Sequence, residues 1–150
     1  MRAVIQRVSR SSVKVNGNTI GQTSHGLLIL LGIETVDDRS DVEWLARKII
    51  GLRIFSDAEG KMNLNLEAAE GELLVISQFT LHSSTKKGTR PSFIKAARPE
   101  KAIPLYEAFI KECEKRIGKD VARGEFGADM EVELVNDGPV TIVIDSQNKE

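Results

Sequence analysis

Between Gly71 and Leu81 an apolar run turns polar, and Ser77, Gln78 and Thr80 fall within four positions, with Phe79 between them. Leu73 to Ile76, after a Gly-Glu turn signal, reads as a short strand buried on both faces, so its end is rigidly held. Two hydroxyls and an amide there need hydrogen-bond partners, because each buried group left unmet costs about 1–3 kcal/mol. A bound ligand is one solution, and local backbone at the turn is the other. His82 follows Thr80 by two positions and on a strand would share its face, as a base beside a hydroxyl nucleophile would. No orienting acid is evident, however, and a lone histidine beside a loop reads as a surface or hydrogen-bonding residue, as does His25.

The second unusual stretch is Asn136-Asp137-Gly138-Pro139. Asp-Gly is a turn dipeptide, and an X-Pro bond adopts cis at a cost of only about 0.5–1 kcal/mol. A cis Gly138-Pro139 bond would turn successive carbonyls to one side and present two acceptors without any side chain. A plain turn explains the same residues. Phosphate-loop and dinucleotide fingerprints are absent. The single Cys113 excludes an intrachain disulfide, and neither histidine stands in metal-ligand spacing, so no cofactor or metal is expected.

Charge divides unevenly along a chain whose net charge is −1. Residues 1–33 contain Arg2, Arg7, Arg10 and Lys14 and no acid, while residues 82–101 contain Lys86, Lys87, Arg90, Lys95, Arg98 and Lys101 against Glu100. Basic segments in an otherwise acidic protein fit a local phosphate-binding face, and a solvated loop fits the second one equally well. Five Phe, one Tyr and one Trp are few stacking platforms for general single-strand binding. No apolar run nears the ~20 residues that cross a bilayer, and the start does not resemble a signal peptide, so a cytoplasmic protein is expected.

The elements that must position these residues read as one α/β domain over 1–150. Arg2–Val8 alternates as a strand, Val13–Val15 and Asn18–Thr23 form a hairpin about Asn16-Gly17, and Leu27–Ile33 is a central strand. Ser40 and Glu43 stand in capping-box spacing before a helix that ends near Gly51. Arg53–Phe55 and Met62–Leu66 are short strands, and residues 82–98 form a long basic loop tethered by Phe93. A second helix spans Ile103–Ile117 with Pro104 in its first turn and Cys113 on its buried stripe. Met130–Val135 and Val140–Asp145 read as two strands joined by the 136–139 turn, followed by a polar tail from Ser146 to Glu150.

Taken together, Ser77-Gln78-Phe79-Thr80-Leu81 and Asn136-Asp137-Gly138-Pro139-Val140-Thr141 resemble the two signature motifs of the D-aminoacyl-tRNA deacylases. Met1–Val8 looks like that family's first strand and Lys87–Phe93 like its basic loop, so the resemblance runs the full length. It implies antiparallel and mixed sheets packed in a barrel-like core under two covering helices. It also implies a homodimer that hydrolyses the ester between a D-amino acid and the terminal adenosine of tRNA, as a proofreading step.

By the same resemblance, Ser77, Gln78, Phe79 and Thr80 line the pocket, and a cis Gly138-Pro139 of the partner chain filters chirality. Arg7 and Asn136 support that loop, and Lys86, Lys87 and Arg90 meet tRNA. Thr80 is a poor nucleophile without a base. The ribose hydroxyl beside the ester can activate or position water, with the Phe79 and Thr80 N–H groups at the oxyanion. A noncatalytic tRNA-end-binding module and a dimerisation protein in which both motifs are turns are the competing expectations.

Overall fold

A computed structural model describes residues 1–150. The chain runs β1 (Arg2–Val15), β2 (Asn18–Thr23), β3 (Gly26–Gly32), α1 (Arg39–Ile50), β4 (Phe55–Ser56), β5 (Met62–Leu64), β6 (Glu72–Ser77), a 3-10 turn (Phe79–His82), α2 (Pro99–Ile117), β7 (Ala122–Arg123) and β8 (Glu131–Asp145). The main sheet has the order β2-β1-β3-β6-β7, with β8 also paired to β1. β3–β6 and β6–β7 are parallel, whereas β1 pairs antiparallel with β2, β3 and β8.

Alternation along the strands builds two apolar layers, because successive side chains point to opposite faces. Ala3, Ile5, Leu27, Ile29, Leu31, Leu73 and Val75 join the large cluster that the helices cover through Leu45, Ile49, Tyr106 and Phe109. Val8, Val13, Leu28, Leu74 and Ile76 form the second cluster, closed by Met130, Val132 and Leu134. Complete burial of Leu74 and Val75 on opposite faces contributes about 1.5–3 kcal/mol each, which anchors the strand that ends at Ser77. The sheet nearly closes: a Cβ on Gly21 of β2 would lie 2.9 Å from the Arg123 carbonyl of β7.

Four expectations change. β1 is one strand of 14 residues rather than two segments, because it pairs with β3 through Val8 and with β2 from Ser11. Likewise, Met130–Val135 and Val140–Asp145 are not a hairpin. Both halves of β8 pair with β1, Gln6 opposite Thr141 and Val8 opposite Asn136, so residues 137–140 bulge out of a continuous strand. The capping box of α1 is Asp38 and Asp41, with Ser40 N–H donating to Asp38 Oδ1 at 2.8 Å. α2 starts at Pro99, not Ile103, because Ala102 is buried in the core and secures the first turn. Pro104 is therefore interior, and its missing N–H lies on an exposed side of the helix.

The polar tail 146–150 is tied back to the domain at its start. Ser146 N–H donates to the Met1 carbonyl at 2.8 Å, and Gln147 Nε2 donates to Asp37 and Asp41 at 3.0 and 3.1 Å. Cys113 is a core thiol, pushed up to about 12 first by burial and then by the neighbouring Glu112.

Gly26 tests the β3–β6 junction, because a Cβ there would sit 1.9 Å from the Glu72 carbonyl oxygen. Gly26→Ala is expected to destabilise by about 3 kcal/mol or more in urea unfolding, since neither backbone can move without parting the pair.

Candidate functional site

Where β6 leaves the sheet, the Gln78 N–H still donates to the Leu31 carbonyl at 2.8 Å, and the chain then closes into the Phe79–His82 turn. Leu81 N–H returns to the Gln78 carbonyl at 3.2 Å. The N–H groups of Phe79 and Thr80, at the start of this turn, donate to nothing in the chain. Unpaired N–H groups at a helical start are anion-binding donors.

Ser77, Gln78 and Phe79 line a cleft of about 300 Å³, opposite Phe126, Gly127, Ala128 and Met130. Thr80 stands beside it and accepts a 2.5 Å hydrogen bond from Gln78 Nε2. An amide that donates to the hydroxyl oxygen orients it but takes no proton from it, so Gln78 is not a base for Thr80. The segment 126–130 escaped the sequence reading. Its signal is Phe126-Gly127, an aromatic and a turn residue just before β8.

The turn is clamped from outside the motif. Arg2 Nη1 donates to the Leu81 carbonyl at 2.7 Å, while Nε and Nη2 grip Asp145 Oδ2 at 2.9 and 2.7 Å. Burial pushes the Asp145 carboxyl up, but hydrogen bonds from Gln147 and Arg2, with the Arg2 charge, outweigh it and hold the group below its usual value. Of the two expectations for His82, a surface residue or a hydrogen-bonding one, the first does not hold: it is 3 % exposed, packs against Gly32, and turns Nδ1 toward Glu34 Oε2 at 3.8 Å. Its burial follows from the 3-10 turn, which sends residue 82 inward instead of along a strand face. His25 is exposed, edge-on to the Phe55 ring at 5.1 Å.

The second motif is held by β1. Buried Arg7 donates from Nη1 to the Ile54 carbonyl at 2.6 Å and from Nε to the Asp137 carbonyl at 3.2 Å, with Asp137 Oδ2 at 3.3 Å. Asn136 pinches the base of the bulge: Oδ1 accepts the Val140 N–H at 3.2 Å and Nδ2 donates to Thr141 Oγ1 at 3.1 Å. Gly138-Pro139 is cis, and both residues are exposed. Gly138 has φ +125°, and a Cβ there would come within 2.9 Å of Arg7 Nη2, so only glycine fits this approach. Neither Gly138 nor Pro139 lines the cleft at Ser77–Phe79 of its own chain.

Lys86 and Lys87 border a separate hollow with Ser84, Ser92, Ile94 and Lys95. Arg90 is exposed on the same loop but outside that hollow.

The Arg2 clamp has a pH signature. Because the folded Asp145 value is depressed, its contribution is present above the unfolded value of about 3.9 and is lost as pH falls through the folded one. Arg2→Ala is expected to cost about 1 kcal/mol in urea unfolding at pH 7, discounted for the exposure of Arg2, with the deficit narrowing toward pH 3. A deficit constant across that range would put the effect in the bond to the Leu81 carbonyl instead.

A sequence model described as D-Tyr-tRNA(Tyr) deacylase matches residues 4–145. Proteins named D-aminoacyl-tRNA deacylase from Bacteroides fragilis and Cytophaga hutchinsonii are 59% and 60% identical to this chain, covering 100% of both chains in each comparison. Among solved structures, a c-Myc DNA Unwinding Element Binding Protein superimposes with a TM-score of 0.90 at 40% identity, over 97% of this chain and 98% of the other. A probable eukaryotic D-amino acid tRNA deacylase superimposes at 0.80 with 18% identity, over 95% and 97%, a likeness of fold. With a family match over nearly the whole length and relatives near 60% identity, the chain belongs to the D-Tyr-tRNA(Tyr) deacylase family.

Proposed function

We propose that this protein hydrolyses the ester of D-aminoacyl-tRNA, and of mischarged glycyl-tRNA, as a cytoplasmic proofreading homodimer. The observation that carries this reading is the pair of unpartnered N–H groups at Phe79 and Thr80, beside a cleft lined by Ser77 and Gln78. A tetrahedral intermediate places negative charge on the former carbonyl oxygen, and two fixed backbone donors meet it without reorganisation. A noncatalytic module would aim the same donors at a tRNA phosphate, so cleavage of the ester is what separates the two readings.

Thr80 Oγ has an amide donor as its partner, which favours positioning over nucleophilic attack. The ribose 2′-hydroxyl next to the ester activates or positions the attacking water, and Thr80 assists. No metal or cofactor takes part in this scheme.

Chirality is read by the bulge at 137–140 of the partner chain. The bulge is exposed, held by Arg7 and Asn136, and lines no part of its own chain's cleft, so it is free to enter another. On either side of it, Val135 and Val143 leave apolar side chains exposed on β8, a face that a second copy can cover. The Gly138 and Pro139 carbonyls accept hydrogen bonds from the substrate α-amino group, which turns an L side chain into the backbone wall and a D side chain outward. Lys86, Lys87 and Arg90 contact tRNA phosphates, a sequence-independent and salt-sensitive contribution.

The test is a panel of D-Tyr, D-Asp, Gly and L-Tyr esters on matched tRNAs, with wild type and Thr80→Ala, and with 2′-deoxy terminal adenosine. Both D esters should be cleaved at comparable rates, Gly to a lesser degree, and L-Tyr spared. Thr80→Ala should lower kcat by no more than about tenfold because it removes no general base, whereas the 2′-deoxy substrate should be nearly inert. Total loss in a folded Thr80→Ala protein that still binds substrate would favour covalent catalysis. Refusal of Gly beside brisk D-Tyr cleavage would mean that the pocket grips the D side chain.

A further inference from the structure

Phe93 and Ile94 are consecutive, and Ile94 is 88% exposed. One exposed apolar side chain is ordinary, but this pair sits on backbone that is firmly tied. Ser84 and Ser92 exchange N–H to carbonyl bonds at 2.8 and 2.9 Å, Thr35 N–H donates to the Lys95 carbonyl at 3.0 Å, and Ala97 N–H donates to the Ile33 carbonyl at 2.9 Å. The loop thus holds Ile94 out in water. Phe93 packs edge-on against Phe79, with centroids 5.2 Å apart and planes at 74°, and Phe79 lines the cleft. Phe93 therefore extends the apolar rim of the cleft outward, and Ile94 is the next residue along the chain.

Beyond Phe93, Ile94 borders a hollow of about 280 Å³ whose other walls include Lys86, Lys87 and Lys95. No carboxylate lines it, and the acid nearest Lys95, Glu34, is 4.0 Å from its ammonium. An apolar contact ringed by three ammonium groups matches a base with its phosphate, the pairing used to hold single-stranded nucleic acid. A second copy of the chain fits less well, since a two-fold contact through this patch would bring like charges together.

We infer that Phe93, Ile94 and Lys95 form a second nucleotide subsite, which takes the base and phosphate immediately upstream of the esterified adenosine. This rests on the proposed hydrolase reading and adds to it a contact that the terminal adenosine does not make. Ile94 and the edge of Phe93 receive the base, and Lys95, with Lys86 and Lys87, receives the phosphate. The upstream nucleotide then improves binding without entering the chemistry.

Three substrates carrying one D-amino acid separate the subsite from the reaction: the ester of adenosine alone, of a dinucleotide ending in adenosine, and of whole tRNA. For wild type, KM should fall about tenfold from adenosine to dinucleotide, and the gain should shrink with added salt. Ile94→Ser and Lys95→Ala should each remove most of that gain while leaving kcat and the adenosine ester unchanged. Lys111→Ala, an exposed lysine of α2 that does not line the hollow, should keep it.

Equal losses on adenosine and dinucleotide esters would overturn the subsite, as would a wild type that gains nothing from the second nucleotide. A change of oligomeric state in Ile94→Ser would overturn it too, by assigning the patch to an interface between copies. If no D ester were cleaved at all, the hydrolase reading would fall. Calorimetric titration with the uncharged dinucleotide against adenosine would still decide the subsite, tighter dinucleotide binding that Ile94→Ser abolishes supporting it and equal binding overturning it.

Discussion

The pairing of β8 with β1 along almost its entire length is the constraint on which the rest depends. Two of the three arginines of β1 stand five residues apart, and each donates to a backbone carbonyl of a different motif: Arg2 to Leu81 and Arg7 to Asp137. Both guanidiniums also hold an acid, Asp145 and Asp137 respectively, and both of those acids lie on β8. One strand therefore fixes both the Phe79–His82 turn and the bulge that carries the cis Gly138-Pro139 bond. Were 136–141 a simple hairpin, the second half of β8 would leave β1 and neither link would survive. Guanidiniums suit this task because their several fixed donors serve a carboxylate and a carbonyl at once.

Rigidity at the cleft has a second source in the two-faced burial of β6. Tyr106 reaches from α2 to the Val75 carbonyl at 3.0 Å, and burial pushes its hydroxyl up to about 12, so it stays a neutral donor across the working pH range. Beneath the turn, His82 leaves Nε2 without a partner while Nδ1 faces Glu34. The cleft is mainly apolar, with the hydroxyl of Ser77, the amide of Gln78 and one carboxylate, Asp129, among its lining residues.

Much of the fold was legible because its signals are local. The apolar run 27–33 and the run 73–76 could only be strands buried on both faces, and Asn16-Gly17 marks its turn without ambiguity. What misled was pairing at a distance. Asn136-Asp137-Gly138-Pro139 has every residue of a hairpin turn, and only the length of β1 opposite shows that the strand resumes on the same partner. The start of α2 was obscured by Pro104, which lies inside a helix whose first turn is seated by buried Ala102, two residues before it. In the candidate site, Ser77, Gln78 and Phe79 stood out as a cluster because they are adjacent. The opposite wall at 126–130, the Arg2 clamp and the inward turn of His82 depend on residues far apart in the chain.

The central claim is that a working site combines the cleft of one chain with the 137–140 bulge of another. Complementation measures this directly. Gly138→Ala disables the bulge, given the 2.9 Å approach to Arg7, and Ala128→Trp plugs the cleft that Ala128 lines. Each variant alone should be inactive on D-Tyr-tRNA, and mixing the two after partial unfolding and refolding should restore activity, since mixed dimers contain one intact cleft facing one intact bulge. If the mixture stays as inactive as its parents although mixed dimers form, the two motifs act within one chain and the account is wrong.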